Sequence, residues 1–210
     1  MTAKPKPQAK GPDEGGSWAI FGGVFDPVHR GHFALIDDLF ATSRFDGVLF
    51  VPSYHPPHKG ERACAPYTDR TAMLRLALEN HDHYLVSTIE SELEAPGYTL
   101  NVVRAIKKRF PTTGFSFIIG ADNIADMRTW HQPEEVLKEI HVIAGARPGF
   151  DPQQMDSFPG ERIEYVRTRA IDISSSDVRA RIARGISLEE LAGMVPEKVA
   201  QYILERKLYR

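Results

Sequence analysis

The sequence predicts an α/β fold, a single domain built on a Rossmann-like, doubly wound parallel sheet. Apolar runs of strand length alternate with stretches of helical period along the chain, and repeated β–α alternation is typical of parallel strands joined by right-handed crossovers. Several runs are continuously apolar, as expected for strands that are covered on both faces. The length of 210 residues suits one such domain.

Six apolar runs are the expected strands. In chain order they are residues 18–21, 48–51, 84–89, 115–119, 141–144 and 162–166. Other segments carry apolar residues at helical spacing. We expect these helices at residues 33–41, 67–79, 99–109, 133–139 and 175–183. Ligands of doubly wound sheets bind beyond the carboxyl ends of the strands, so the functional site is expected at that edge.

The first 16 residues differ in composition from the rest of the chain. They are rich in proline, glycine and lysine and hold almost no aliphatic side chains, so they cannot bury enough apolar area to offset ordering. We predict a flexible N-terminal extension over residues 1–16 and an α/β domain over residues 17–210. The simplest interpretation gives the extension no specific role, and a weak contact with a partner or a nucleic acid is the alternative.

Composition argues against several classes of protein. The formal net charge of −2 disfavours a protein that coats nucleic acid, which is typically strongly basic. The single cysteine, Cys64, excludes an internal disulfide framework and a cysteine-rich zinc site. No apolar run approaches the ~20 residues of a membrane span, and residues 1–16 lack the apolar core of a secretory signal. We expect a cytoplasmic protein with neither a nucleic-acid nor a membrane partner.

The strongest local signal follows the first expected strand, where residues 21–32 read FGGVFDPVHRGH. Gly22 and Gly23 remove side chains at a turn, so a phosphate could approach the backbone there. His29 and His32 would point from the first turn of a helix to one face, beside free N–H groups that favour an anion. The string matches neither GxGxxG nor the P-loop. Zinc binding by the two histidines is disfavoured because no third ligand is nearby.

A second signal lies at residues 173–179, which read ISSSDVR. Ser174 precedes Asp177 by three residues, a capping-box-like spacing, and Gly185 would end the helix. An ordinary capped helix is therefore one interpretation. Three serines and Arg179 at a helix start would also clamp a phosphate, because hydroxyls, N–H groups and a guanidinium converge. The presence of two such segments in one chain favours the phosphate interpretation.

These two strings resemble the (T/H)xGH and ISSTxxR motifs of the nucleotidyltransferase superfamily. Further strings make the chain similar to the bacterial nicotinate-nucleotide adenylyltransferases: GGVFDPVH (22–29), VPSYHPPHK (51–59), GYT (97–99), GADN (120–123), TWH (129–131) and VPEKVAQYI (195–203). The similarity runs from about Trp18 to Tyr209. Three positions depart from the pattern: Val24 and Ser176 replace the usual threonines, and His131 stands where tyrosine is common. Val24 puts a side-chain phosphate contact at that position in doubt.

The resemblance implies a reaction in which the phosphate of nicotinate mononucleotide is joined to the α-phosphorus of ATP and pyrophosphate is released. A phosphate monoester is already largely ionised near neutral pH, so no strong protein base and no covalent enzyme intermediate are needed. Cys64 would then have no role in the reaction. The protein must supply in-line positioning and charge stabilisation. Mg²⁺ is implied as an ion that bridges the ATP phosphates and keeps several waters.

The resemblance also implies residue roles. His29, His32 and Arg179 are the expected catalytic residues, with His32 nearer the α-phosphate or the adenosine. The implied ATP and phosphate contacts are Gly22, Gly23, Val24, Phe25, His58, Lys59, Asp122, Arg147, Ser174, Ser175 and Ser176. The implied contacts to nicotinate mononucleotide are His55, Thr99, Trp130 and His131. Trp130 would stack on the pyridine ring, whereas Trp18 is expected to pack within the first strand.

Several alternatives stay open. Residues 55, 58 and 59 could form an ordinary solvated loop, Asp122 could cap a helix and Trp130 could anchor the core. A sister enzyme, such as a phosphopantetheine adenylyltransferase or a cytidylyltransferase, would use the same two phosphate motifs. A nucleotide-binding regulator without catalysis and an interaction module that uses the basic extension are the other classes. Assembly as a homo-oligomer is also left open.

Overall fold

The computed structural model of the chain describes residues 11–41, 45–54, 65–121, 124–146, 162–169 and 171–210. The strands are β1 (Gly16–Gly23), β2 (Gly47–Pro52), β3 (Tyr84–Val86), β4 (Thr113–Gly120), β5 (His141–Ala146) and β6 (Ile163–Arg167). The α-helices are α1 (Arg30–Phe40), α2 (Tyr67–Leu78), α3 (Thr99–Arg109), α4 (Ile124–Met127), α5 (Pro133–Glu139), α6 (Ser175–Ala183), α7 (Leu188–Met194) and α8 (Glu197–Glu205).

The six strands form one parallel sheet in the order β3-β2-β1-β4-β5-β6. This order confirms the predicted doubly wound fold. The central strand β1 pairs with β2 on one side, where Gly22 lies opposite Val51, and with β4 on the other, where Ile20 lies opposite Phe117. The chain reverses its direction of winding between β1 and β4. The carboxyl ends of these two strands are therefore the topological switch point, where such sheets bind ligands.

Helices cover both faces of the sheet. One face packs against α1, α2, α6, α7 and α8, and the other against α3, α4 and α5. Successive residues of β1 divide between the two cores: Ala19 and Phe21 face the first, and Ile20 faces the second. Every residue of β2 is buried, which explains its continuously apolar sequence. Trp18 is also fully buried, as expected for a packing residue.

The predicted helices α3, α5 and α6 have the expected bounds, and the others differ at their ends. The third strand was predicted to reach residue 89 but ends at Val86, because only three residues of β2 pair with it. The Ser87 N–H then donates to the carbonyl oxygen of Phe50 at 2.8 Å, and a 3-10 helix follows over Ile89–Glu92. Helices α4, α7 and α8 were not predicted.

The described part of the predicted extension packs against the sheet. Residues Pro12–Glu14 form a 3-10 helix with Pro12 buried, and β1 begins at Gly16. The Thr113 hydroxyl donates to the carbonyl oxygen of Pro12. The packed domain thus begins before the expected boundary at residue 17, while residues 1–10 lie outside the described residues. Across the described ranges, no helix is long and apolar enough to cross a lipid bilayer.

Candidate active site

Two cavities of about 370 Å³ each meet at the carboxyl end of β1. Gly22, Gly23 and Ile119 line both cavities, so their shared wall is the switch point between β1 and β4. One cavity, which we call the phosphate cavity, is lined by His29, Gly31, His32, Thr168, Arg169, Ser174 and Ser175, among others. The second, which we call the aromatic cavity, is lined by Glu90, Gly97, Tyr98, Thr99, Trp130 and His131, among others.

Gly22 and Gly23 have no side chains, so where they form the wall between the cavities the wall consists of backbone atoms. A Cβ atom at Gly22 would lie 3.3 Å from the Phe117 ring, and one at Gly23 would lie 3.2 Å from the Phe25 ring. Phe25 has a left-handed φ of 50° and turns its buried ring toward Phe21, with ring centroids 5.4 Å apart. A ligand at this junction would therefore meet main-chain atoms. Neither Val24 nor Phe25 is among the described residues that line the cavities.

His29 and His32 form a rigid pair at the start of α1. His29 is the N-cap residue, and its N–H donates to Nδ1 of His32 at 3.1 Å. The two ring centroids are 3.7 Å apart. Because Nδ1 of His32 accepts a hydrogen bond, the neutral ring carries its proton on Nε2. Burial, and then the charge of His29, lower the pKa of His32 well below its ordinary value of 6.5. His32 is therefore a neutral donor near pH 7.

Helix α6 begins beside the phosphate cavity, as predicted. The Ser174 hydroxyl accepts from the Asp177 N–H at 3.0 Å, which confirms the cap, and Gly185 follows the helix with φ of 84°. Ser174 and Ser175 line the cavity. The Ser175 hydroxyl also donates to the carbonyl oxygen of Pro27 at 3.0 Å. This bond ties the start of α6 to the loop that precedes His29.

Arg179 lies against the loop between β1 and α1. Its Nη1 donates to the carbonyl oxygen of Asp26 at 2.7 Å, and its Nη2 donates to the Ser176 hydroxyl at 3.1 Å. Its side chain is 16% exposed. Neither Arg179 nor Ser176 is among the described residues that line the phosphate cavity. Arg179 therefore joins the two predicted phosphate motifs to each other.

Arg169 and Asp26 are site residues that were not predicted from the sequence. Arg169 lines the phosphate cavity and donates through Nε to Asp38 at 2.7 Å. Arg169 follows the carboxyl end of β6 and lies shortly before the ISSSDVR string. This position in the sequence could have indicated that Arg169 belongs to the phosphate site. Asp26 is fully buried inside the GGVFDPVH string. Its partners come from distant parts of the chain, so no local pattern reveals its role.

The aromatic cavity brings Thr99, Trp130 and His131 together, as the resemblance implied. Trp130 is half-buried and packs edge-on against Phe117, with centroids 5.9 Å apart at 83°. A role as core anchor alone does not account for this partial exposure at a cavity. His131 stacks on Tyr98, with centroids 4.1 Å apart at 16°. Tyr98 was missed, although it stands in the GYT string.

Glu90 is a further cavity residue that was not predicted from the sequence. It is buried, and its Oε1 accepts from the Tyr54 N–H at 2.9 Å. Gly97 allows this arrangement, because a Cβ at position 97 would lie 2.3 Å from Oε1 of Glu90. The glycine of the GYT string therefore makes room for a buried carboxylate at the wall of the aromatic cavity.

Other predicted residues lie outside the described ranges. These are His55, His58, Lys59, Asp122 and Arg147, together with Cys64. Among the residues that the structure does describe, no three His, Cys, Asp or Glu side chains are grouped so as to hold a metal ion.

The chain is similar to proteins that are already known. Residues 20–181 match the family model described as cytidylyltransferase-like. A protein of Exiguobacterium sibiricum named a probable nicotinate-nucleotide adenylyltransferase is 37% identical over 193 residues, covering 90% of this chain and 97% of the relative. A protein of the same name from Geobacillus thermodenitrificans is 36% identical over 194 residues, covering 92% of this chain and 86% of the relative.

A solved structure shares the fold. It is the Plasmodium falciparum nicotinic acid mononucleotide adenylyltransferase complexed with NaAD, with a TM-score of 0.74 and 20% identity, covering 92% of this chain and 97% of that one. The family model spans both phosphate motifs and the residues of the aromatic cavity, and the two relatives match 90% and 92% of this chain. The chain therefore belongs to the nicotinate-nucleotide adenylyltransferases, within the cytidylyltransferase-like family.

Proposed function

We propose that this chain transfers the adenylyl group of ATP to nicotinate mononucleotide, giving nicotinate adenine dinucleotide (deamido-NAD) and pyrophosphate, a step of NAD biosynthesis. The observation that carries the proposal is the pair of cavities joined at Gly22 and Gly23. One cavity offers donors for a polyphosphate, and the other offers an indole for a flat ring. If one substrate bound in each cavity, their phosphates would meet next to the main chain of Gly22 and Gly23.

The reaction needs positioning more than acid–base chemistry. A phosphate oxygen of the mononucleotide attacks the α-phosphorus of ATP, one P–O bond forms, and the bond to the leaving pyrophosphate breaks. Neutral His32 would donate its Nε2–H to a phosphoryl oxygen whose charge grows in the transition state. His29, paired with it, would share this role. The start of α1 adds the positive end of the helix dipole at the same place.

The leaving pyrophosphate would lie at the start of α6. Ser174 and Ser175 border the phosphate cavity, and each hydroxyl both donates and accepts hydrogen bonds. Arg169 supplies a cation at the same cavity. Arg179 and Ser176 lie outside the cavity, and the hydrogen bond between them stabilises the start of α6. We propose Ser174, Ser175 and Arg169 as contacts of the β- and γ-phosphates, and Ser176 and Arg179 as the residues that hold this site in place.

The aromatic cavity would bind the mononucleotide. Trp130 would stack on the pyridine ring. The Thr99 hydroxyl and backbone N–H groups near Thr99 and His131 would donate hydrogen bonds to the pyridine carboxylate. A carboxylate only accepts hydrogen bonds, whereas an amide must also donate, so selection of the acid requires these donors to outweigh the Glu90 carboxylate in the wall of the same cavity. Val24 and Phe25 are proposed to contact ATP through their backbone atoms.

Mg²⁺ is proposed to arrive bound to ATP. The described side chains that line the phosphate cavity are imidazoles, hydroxyls, an arginine and apolar groups, without a carboxylate. These side chains can donate hydrogen bonds to phosphate oxygens. The absence of a carboxylate among them is compatible with Mg²⁺, which keeps several waters and needs few protein ligands. When bound, Mg²⁺ would neutralise charge on the triphosphate.

Five residues outside the described ranges stay predictions from the resemblance. His55 is proposed to contact the mononucleotide, and His58, Lys59, Asp122 and Arg147 to contact ATP. The cytoplasmic location, the absence of a nucleic-acid partner and a homo-oligomeric assembly also stay predictions.

The proposal is tested by measuring product formation from Mg²⁺-ATP with three acceptors: nicotinate mononucleotide, nicotinamide mononucleotide and phosphopantetheine. We expect the fastest pyrophosphate release with nicotinate mononucleotide and identification of nicotinate adenine dinucleotide by chromatography. No pyrophosphate release with either pyridine nucleotide would overturn the proposal. Turnover of phosphopantetheine alone would indicate the sister enzyme, and ATP binding without turnover would indicate a regulator.

A further inference from the structure

Asp26 is the hub of a buried polar network beneath the phosphate cavity. The side chain is fully buried within the loop between β1 and α1. Its Oδ1 accepts from the Ala65 N–H at 3.0 Å and from the Tyr209 hydroxyl at 2.7 Å. Its Oδ2 forms an ion pair with Nη1 of Arg179 at 3.6 Å but accepts no hydrogen bond from the described residues. A buried carboxylate is stable only when such donors surround it, so each partner helps to fix its position.

Tyr209 reaches this hub from the turn that follows α8. Its φ of 64° is left-handed, an unfavourable conformation for a tyrosine that the surrounding contacts must maintain. Burial, and then the charge of Asp26, raise the pKa of the Tyr209 phenol. The phenol is therefore protonated throughout the neutral range and donates to Asp26.

The network continues into both phosphate motifs. Arg179 binds the Asp26 carbonyl oxygen and Ser176, while Ser175 binds the Pro27 carbonyl oxygen. The buried Arg70 donates to the Val24 carbonyl oxygen at 2.7 Å and to the Ala65 carbonyl oxygen at 3.1 Å. The loop that places His29 is thus held on several sides, and Asp26 is the side chain that Tyr209 and Arg179 share.

We infer that Tyr209 is a positioning residue for the phosphate site, acting through Asp26 on Arg179 and on the loop that precedes His29. The inference rests on the proposed function, because it concerns the leaving pyrophosphate of that reaction. Without the phenol, Oδ1 of Asp26 keeps only the Ala65 N–H. The carboxylate is then free to turn toward Arg179, and the guanidinium is drawn away from the phosphate clamp.

Tyr202 provides a matched control. Its hydroxyl donates to Oδ1 of buried Asp69 at 2.7 Å, the same distance as in the Tyr209–Asp26 pair. Asp69 also accepts from Nε of Arg206 at 3.3 Å, so this pair joins α2 to α8. None of these three residues is among the described residues that line the two cavities. Tyr202→Phe therefore removes an equivalent bond away from the phosphates.

The experiment compares Tyr209→Phe with Tyr202→Phe in the reverse reaction, from nicotinate adenine dinucleotide and pyrophosphate. We expect Tyr209→Phe to raise the KM for pyrophosphate about tenfold, the size of one charge-assisted hydrogen bond. The KM for nicotinate mononucleotide in the forward reaction should stay within about twofold of the wild-type value. Tyr202→Phe should lower the Tm to a similar extent and leave both KM values unchanged.

A double variant tests the route through Arg179. If Tyr209 acts on this arginine, Tyr209→Phe should add little to the KM effect of Arg179→Lys, whereas independent effects would multiply. An unchanged KM for pyrophosphate in Tyr209→Phe, or equal KM effects in both tyrosine variants, would overturn the inference. If the wild-type protein itself formed no dinucleotide, the proposed function would fail. Calorimetric titration of pyrophosphate would then test Tyr209 separately, with equal affinity in wild type and Tyr209→Phe contradicting the inference.

Discussion

His32 is a donor near neutral pH because its surroundings disfavour the imidazolium. Its Nδ1 is occupied by the His29 N–H, and burial lowers its pKa well below 6.5. A cation at this position would bind substrate phosphates in the ground state as well as in the transition state. A neutral Nε2–H instead gains strength as negative charge develops on the phosphoryl group. The capping arrangement thus sets both the tautomer and the direction of the donor.

The first prediction concerns catalysis by His32. Replacing it with alanine removes one transition-state donor, and we expect kcat with nicotinate mononucleotide to fall by about 10²–10³-fold. Circular dichroism should show an unchanged fold. His83→Ala, a substitution of an exposed histidine that contacts the Asp46 carbonyl oxygen, should leave kcat unaltered. Wild-type turnover in His32→Ala would refute the assigned role.

The second prediction concerns pH and stability. The pKa of His32 is lower in the folded state than in the unfolded state, so its contribution to stability is present above the unfolded pKa and is lost as the pH falls below about 6.5. Urea unfolding at about pH 7.5 and 5.5 should show a smaller loss of unfolding free energy for His32→Gln than for the wild type. Equal losses in the two proteins would contradict this linkage.

At the scale of elements, helices α6 and α7 both begin with a serine cap, but only α6 begins at the phosphate cavity. Ser174 caps α6 at the phosphate cavity by accepting from Asp177, and Ser187 caps α7 by accepting from the Glu190 N–H at 3.2 Å. Ser187 is not among the described residues that line the phosphate cavity. In both caps a serine hydroxyl accepts an N–H three residues later, and Ser187 also donates to the Glu190 carboxylate at 2.9 Å. Comparing the two serines separates helix stability from phosphate binding.

The third prediction uses this pair. Ser174→Ala and Ser187→Ala should each lower the unfolding free energy by ~1 kcal/mol, because each leaves a helix N–H without its side-chain acceptor. Only Ser174→Ala should also raise the KM for ATP, since its hydroxyl is proposed to donate to a phosphate. Denaturant unfolding and steady-state kinetics measure the two effects. A KM for ATP that rises in both variants, or in neither, would contradict the proposed phosphate contact.

At the scale of the molecule, the charge is nearly balanced although the proposed substrates are highly anionic. The formal net charge is −2, and the donors lie at helix starts and strand ends around one switch point. Arg169, Arg179 and Arg70 are each fixed by a carboxylate or a carbonyl oxygen. Attraction of phosphates is therefore local, and it does not need a basic surface.

The fourth prediction concerns the N-terminal extension. Removing residues 1–10 should leave kcat and the Tm unchanged, because these residues carry almost no aliphatic side chains that could be buried. Removing residues 1–16 should lower the Tm, since it deletes the contact with Thr113 and the start of β1. Thermal unfolding and the forward assay of both truncated proteins provide the test. A loss of activity on removing residues 1–10 would support an interaction role for the extension.

Periodicity made the sheet predictable. A buried parallel strand is apolar throughout and a covering helix has an apolar stripe, so β2 and α3 are visible as local patterns. The two phosphate strings were equally visible, because a glycine turn and a helix cap are formed by neighbouring residues. Parallel strands place their carboxyl ends at one edge, so sequence alone also predicted that the strings would meet.

Only the tertiary structure decided what supports those strings. The end of β3 depends on where the chain leaves β2 to form the 3-10 helix over Ile89–Glu92. The roles of Asp26, Arg70 and Tyr209 depend on contacts across 39 to 183 positions of the chain. The sequence by itself determined the fold class and the two phosphate motifs, since both arise from short-range patterns of burial and capping. The buried network was decided by packing, because a buried charge selects whichever donors the fold brings within reach.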